Sequence, residues 1–155
     1  MNRAKLNRII KKAQDVCAES GGRLTEKRRG VLELLLVSNK PLSAYEITDA
    51  YSQAAEKPMP TMSVYRILDF LQTKELVHKL SSTNKYIACS HISCGHEHSI
   101  SQFLICGNCQ SVKEIAISER IMHELSQLLN KTGYALTDPQ LELQCLCNDC
   151  SASLS

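Results

Sequence analysis

No run of eighteen apolar residues occurs in the 155-residue chain, so a membrane-spanning helix is not expected. The opening stretch MNRAKLNRIIKKAQD is charge-rich and amphipathic and lacks the apolar block of a secretory signal. A cytoplasmic location follows as the expectation. Internal repeats and low-complexity segments are also missing, and no His-Glu-x-x-His occurs. A zinc hydrolase needs a three-ligand metal with an open position and a general base, so hydrolysis, and with it a small-molecule substrate, is not the expected chemistry.

Charge is nearly balanced at +2 over the whole chain, but its distribution is uneven. Residues 1–80 hold 14 Lys and Arg against 9 Asp and Glu, whereas residues 81–155 hold 4 against 7. The basic front half suits a surface that faces phosphates. Apolar residues make up 43% of the chain, enough for packed cores. Eight cysteines in a chain expected to be cytosolic call for metal, redox catalysis or burial, because structural disulfides are rare in that compartment.

The first eighty residues read as helices with punctuation. An amphipathic segment over residues 3–18 runs into Gly21-Gly22, and Thr25 can cap a second helix carrying Val31, Leu32, Leu34, Leu35 and Leu36. Ser43-Ala44-Tyr45-Glu46 has capping-box spacing and opens a third. After the rigid Lys57-Pro58-Met59-Pro60, Thr61 or Ser63 can cap a fourth, running to about Thr73. Val64, Ile67, Leu68 and Leu71 form its apolar stripe, leaving Tyr65, Arg66, Asp69 and Gln72 outward. Two strand-like runs, residues 76–80 and 85–89, flank the turn Ser81-Ser82-Thr83-Asn84. Helices closed by a hairpin make a winged helix.

From Phe103 the order becomes strand, strand, helix, strand. Residues 103–106 and 112–115 flank a Gly107-Asn108 turn, and Ser118 caps a helix expected to turn Ile121, Met122, Leu125, Leu128 and Leu129 inward. Gly133 ends that helix, and a last strand covers residues 141–147. The expected fold class is therefore α+β. Its parts are a winged helix suited to DNA at 1–88, a hinge carrying candidate metal ligands at 89–102, and an α/β domain at 103–155, for which the family resemblance given below implies a dimerisation role.

Cys106-Gly107-Asn108-Cys109 and Cys147-Asn148-Asp149-Cys150 supply two Cys-x-x-Cys knuckles, whose four thiolates suit a closed tetrahedral zinc site that supports structure without catalysis. A thioredoxin-like pair would need one motif at a helix N-terminus, whereas Cys106 ends a strand. A looser group lies upstream: His78, Cys89, His91, Cys94, His96, Glu97 and His98, with Glu114 after the first knuckle. Ligands drawn from a hairpin, a linker and a later strand make a site that forms only when both halves are correctly placed. On the fourth helix Arg66 has the donors to read guanine bidentately, and Tyr65 can meet a phosphate or a thymine methyl group. Arg23, Lys27, Arg28, Arg29 and Lys79 are phosphate-contact candidates. Cys17 and Cys145 sit on patterns that suit small buried groups.

In combination, Arg23-Leu24-Thr25 with Arg28, Ser43-Ala44-Tyr45, Ser63-Val64-Tyr65-Arg66 with Leu68-Asp69-Phe70-Leu71, Val77-His78-Lys79, Ser82-Thr83-Asn84, the two knuckles and Val112-Lys113-Glu114 resemble the ferric uptake regulator family, and within it the zinc uptake regulators. The resemblance spans about residues 10–150. It implies a homodimeric, zinc-responsive transcriptional repressor that binds pseudo-palindromic double-stranded operator DNA and controls zinc uptake genes. Two Zn2+ ions per chain are implied. One is structural, on Cys106, Cys109, Cys147 and Cys150; the other is regulatory, on His78, Cys89, a histidine of the 96–98 stretch and Glu114. The segment from Cys89 to Cys106 differs in length from the family pattern, so His98 is chosen as the third regulatory ligand, with His96 as the alternative. Tyr45, Tyr65 and Arg66 carry over as DNA-binding residues, with Arg23 and Arg28 beside them. A thiolate at Cys89 suits zinc better than a hard ferrous ion.

Overall fold

The computed structural model describes residues 1–38, 40–94 and 100–153. The chain divides into two compact units, Met1–Gly95 and His96–Ser155.

Four helices and a hairpin make the first unit: α1 Arg3–Glu19, α2 Glu26–Val37, α3 Ala44–Ala55, α4 Thr61–Thr73, β1 Val77–Leu80 and β2 Lys85–Ala88. Their starts follow local side-chain chemistry. Asn2 caps α1 by accepting from the Ala4 N–H, and α1 ends where Gly21 takes a φ of 72°, a left-handed conformation open to glycine. Thr25 caps α2. Ser43 and Glu46 form the expected capping box on α3, the serine oxygen accepting from the Glu46 N–H and the glutamate from the Ser43 N–H. The start of α4 differs from expectation. Its N-cap is Pro60, with no side-chain cap, so neither Thr61 nor Ser63 fills that role. The proline-rich connector delivers the chain in an extended conformation directly into the first turn.

Val64, Ile67, Leu68 and Leu71 are buried as the stripe predicts. They pack in one core with Ile9, Ile10, Ala13, Cys17, Val31, Leu32, Leu35, Ile47, Leu76 and Tyr86. The outward face is narrower than the helical period suggests. Tyr65 is half-buried against that core, and Gln72 folds back to donate to the Leu68 carbonyl. Strands β1 and β2 pair antiparallel with Val77 opposite Ala88 and Leu80 opposite Lys85, and Asn84 takes the left-handed position in the turn. Leu42 adds one bridge to Tyr86, and Lys85 reaches Glu46, so the wing is tied to the start of α3.

The second unit contains β3 Ser101–Cys106, β4 Val112–Ala116, α5 Glu119–Lys131, β5 Glu142–Cys145 and α6 Asn148–Ala152. Strand order is β4-β3-β5; β3 runs antiparallel to β4 and parallel to β5, with α5 in the crossover. The last strand is shorter than the expected 141–147: it begins at Glu142 and ends at Cys145, after which Cys147 takes the N-cap position of the short α6 without a side-chain cap. Ser118 caps α5 as expected, but the inward face assigned to this helix forms only in part: Met122, Leu125 and Leu129 are half-buried, with the Met122 sulfur beside the Gln102 side chain, whereas Ile121 and Leu128 are 54% and 61% exposed. Periodicity reveals an apolar stripe without saying what covers it. Phe103 and Ile105 supply the buried apolar centre beside a fully buried Gln102. The Gln102 side chain donates to the Pro139 carbonyl at 2.8 Å and accepts from the Leu141 N–H, pinning the segment that enters β5.

Candidate metal centre and nucleic-acid interface

Strand β3 ends at Cys106, and the chain turns back through a knuckle closed by Cys106 N–H to the Ser111 carbonyl and Gln110 N–H to the Cys106 carbonyl. Gln110 takes the left-handed conformation there, with a φ of 62°. The parallel register sets Cys106 beside Cys145, so the chain leaving β5 arrives next to this knuckle with Cys147 and Cys150. The Cys147 N–H points at the Cys106 sulfur at 3.4 Å, and the sulfurs of Cys109 and Cys147 are 3.8 Å apart. All four sulfurs lie within 4.8 Å of one another. Zn–S bonds of about 2.3 Å in a tetrahedron demand sulfur–sulfur edges of about 3.8 Å, so this donor set fits a closed zinc site.

Backbone N–H groups of Cys109, Cys147 and Asn108 hold Cys106 down at about 6. The Ser111 hydroxyl and backbone hold Cys109 below the usual thiol range. At Cys150 a lowering contact with the Asn108 side chain is outweighed by the Cys147 sulfur, burial and the Cys109 and Cys106 sulfurs, which push it up to about 12. Zinc would bind these sulfurs as thiolates, so its uptake would release their protons.

In the first unit, the β1–β2 pairing sets His78 opposite Ile87, and the Cys89 N–H bonds to the Leu76 carbonyl at 3.0 Å. The result is an imidazole nitrogen and a buried thiol within 4.8 Å of each other. The His91 N–H reaches the Cys89 sulfur at 3.4 Å. In the second unit, Glu114 stands on β4 opposite Phe103 and accepts from the Ser101 hydroxyl. Sequence reasoning missed Ser101 and Ser111, since an isolated serine carries no sequence signal; the neighbourhood of each is set by the β3–β4 register and the knuckle. His96 and His98 lie outside the described residues. Cys17 is buried in the core, as its pattern suggested, and burial raises its thiol. Cys145 is exposed instead, and Cys94 is exposed too.

On the first unit Tyr45 projects from the opening turn of α3, 66% exposed, while Arg66 is exposed on α4 and Tyr65 half-exposed. The Thr48 hydroxyl meets Thr61 at 3.5 Å, bringing the α3 and α4 N-terminal ends together. Arg23 is exposed. Arg28 is engaged within the fold: its guanidinium stacks 3.5 Å over the Phe70 ring and donates to the Arg23 carbonyl at 2.7 Å. Arg29 pairs with Glu33 at 2.7 Å, and Lys27 and Lys79 are exposed.

The ferric uptake regulator family model matches residues 19–144. The chain belongs to this family. Among its relatives, the zinc uptake regulation protein of Escherichia coli (strain K12) is 36% identical over 152 residues, covering 97% of this chain and 85% of the relative. The peroxide operon regulator of Bacillus subtilis (strain 168) is 27% identical over 146 residues, covering 92% and 93%. Among solved structures, a zinc uptake regulator complexed with zinc and DNA superposes with a TM-score of 0.81 at 31% identity, covering 96% of this chain and 97% of the other. Holo XcZur gives 0.75 at 35% identity, covering 92% and 96%. The family member described here shares their architecture of a helical N-terminal unit and a sheet-containing C-terminal one. No helix among its described residues is long and apolar enough to cross a membrane.

Proposed function

We propose that this chain is a zinc-responsive transcriptional repressor that binds pseudo-palindromic operator DNA as a zinc-loaded homodimer and controls zinc uptake genes. The observation that carries the reading is the buried Cys89 thiol within 4.8 Å of the His78 nitrogen, a soft sulfur beside an imidazole on the wing of a DNA-binding fold. Such a pair favours zinc over the ferrous iron suited to nitrogen and oxygen ligands. Likeness to a regulator solved with both zinc and DNA supports it.

The parts are a winged helix at 1–88, a ligand-bearing hinge at 89–102 and an α/β dimerisation domain at 103–155. Cys106, Cys109, Cys147 and Cys150 hold the structural ion, and His78, Cys89, His98 and Glu114 the regulatory one, with His96 as the alternative third ligand. When bound, zinc supplies cross-links: one closes the second unit, and the other fixes the DNA-binding domains at the separation an operator requires. The exposed part of the α5 stripe, Ile121 and Leu128, is the surface a second copy would cover. Arg66 reads a base edge, Tyr45 and Tyr65 flank it, and Arg23 and Arg28 meet phosphates. Nothing in this scheme requires turnover; the protein acts in the cytoplasm as a regulator, with neither a small-molecule substrate nor a membrane partner.

Zinc content and operator binding, measured together before and after mild chelation at buffered free zinc, test the reading. Two ions per chain, one removed easily with loss of operator binding and restored on re-addition, are expected. Cys89→Ser should abolish zinc-dependent binding with the fold intact. A single tightly held ion, with DNA binding indifferent to chelation, would remove zinc sensing from the account. Anaerobic titration with ferrous iron separates the zinc reading from an iron or peroxide sensor.

A further inference from the structure

Resting on the repressor reading, we propose that Met62 is a specificity-determining residue that reads the 5-methyl group of a thymine within about two base pairs of the base contacted by Arg66. Met62 is 64% exposed in the first turn of α4. A single exposed apolar side chain is ordinary on a protein surface. Its position gives this one meaning.

Met62 and Arg66 are four residues apart, so they share one face of α4 and are separated by about 6 Å along its axis. Stacked bases are about 3.4 Å apart along a strand, which sets the two-base-pair limit. The helix enters this face directly from Pro60 without a side-chain cap, and its first turn carries no acidic residue. The first turn of α4 itself therefore sets no carboxylate against a phosphate. Among the described residues of the first unit, the exposed large apolar side chains are Met1, Val37, Tyr45 and Met62. Two of these four flank the Thr48–Thr61 contact between α3 and α4: Tyr45 lies three residues before Thr48, and Met62 follows Thr61. The N-terminal end of α4 is the one a recognition helix leads into the major groove. A thioether side chain has almost no hydrogen-bonding capacity, and the apolar feature displayed by the major groove is the thymine methyl. Arg66 and Met62 thus supply two different kinds of readout from one helix face.

The test starts from a duplex selected from random-sequence DNA by the zinc-loaded full chain. Each thymine of that duplex is then replaced by deoxyuridine, which removes the methyl group and leaves the base pair intact. Fluorescence anisotropy at fixed salt is expected to show one symmetry-related thymine pair at which the native chain loses about fourfold per half-site, or about fifteenfold for both, the worth of one buried methyl-sized group. Met62→Ala should lose a similar factor on the thymine duplex and then be indifferent to the uracil substitution. Met62→Leu should keep most of the discrimination, and 5-methylcytosine at the sensitive position should bind the native chain more tightly than cytosine. Unchanged melting and zinc content of the variants exclude misfolding. A flat uracil scan with the native chain, or a Met62→Ala chain that keeps the full thymine preference, overturns the proposal while leaving the repressor reading standing. If no duplex is enriched, the repressor reading falls and this inference with it.

Discussion

Arg28 offers a quantitative test of how the recognition helix is held. Its guanidinium lies 3.5 Å over Phe70, donates to the Arg23 carbonyl at 2.7 Å, and so joins the connection between α1 and α2 to α4. Arg28→Ala removes three contributions. The cation–π contact at a half-exposed site accounts for about 1 kcal/mol. The charged hydrogen bond, made close to solvent, contributes about 0.5–1 kcal/mol net, and the stem's packing adds a few tenths. The total is about 2 kcal/mol, which for a unit of this size moves the melting midpoint down by about 10 °C. Arg28→Lys keeps the charge but loses the planar stack and the fork, so about half that drop is expected. Thermal unfolding of the zinc-loaded chain, followed by circular dichroism at moderate salt, reads both. A double-mutant cycle with Phe70→Leu isolates the stack and should return about 1 kcal/mol of coupling. Zero coupling, or an Arg28→Ala chain melting within 2 °C of the native one, would refute the reasoning. Salt dependence of operator binding reports separately on the proposed phosphate contact: its slope should become shallower by about one for each Arg28 removed.

Three further outcomes follow from the same geometry. The Ser43 N–H, with the Ser43 hydroxyl and Lys85, holds the Glu46 carboxyl below the usual carboxylate range. A depressed folded-state value means this stabilisation is complete above the ordinary carboxylate pKa and is lost as pH falls through the folded one; chemical denaturation between pH 6 and pH 3 should show Glu46→Gln with a flatter acid limb, and an unchanged limb would count against the capping box. Replacing the buried Gln102 by Leu orphans the Pro139 carbonyl and the Leu141 N–H, costs about 2–4 kcal/mol, and should speed amide exchange along β5; unchanged exchange there would sink the pinning role. Stripping zinc with a strong chelator should unfold the second unit, whose described buried side chains are few, while the first keeps its helical signal; retained β3–β5 exchange protection in metal-free protein would contradict it.

How much was readable in advance varies with the range of the interaction. Thr25, Ser43 with Glu46, and Ser118 announced three helix starts, since capping is settled within four residues. The fourth misled: Thr61 and Ser63 offered hydroxyls, but the extended Pro60 takes the N-cap position and its carbonyl receives the Ser63 and Val64 N–H groups. The α5 stripe was also legible as a pattern, while its covering was not, because periodicity records a preference for burial and is silent on the partner.

Taken alone, the sequence determined the α+β character, the buried stripe of α4, the hairpin and the paired knuckles, all of which depend on neighbours a few residues apart. Tertiary structure alone decided that four sulfurs separated by up to 44 positions converge within 4.8 Å, because the parallel register of β3 and β5 brings the two knuckles together. It also decided that Arg28 stacks on Phe70, that Tyr65 turns half its surface inward, and that Met62 and Tyr45, both exposed, flank the Thr48–Thr61 contact. These facts depend on which distant elements pack against each residue. Side-chain surroundings are set by the whole chain's burial of apolar surface, and no local window of sequence contains that information.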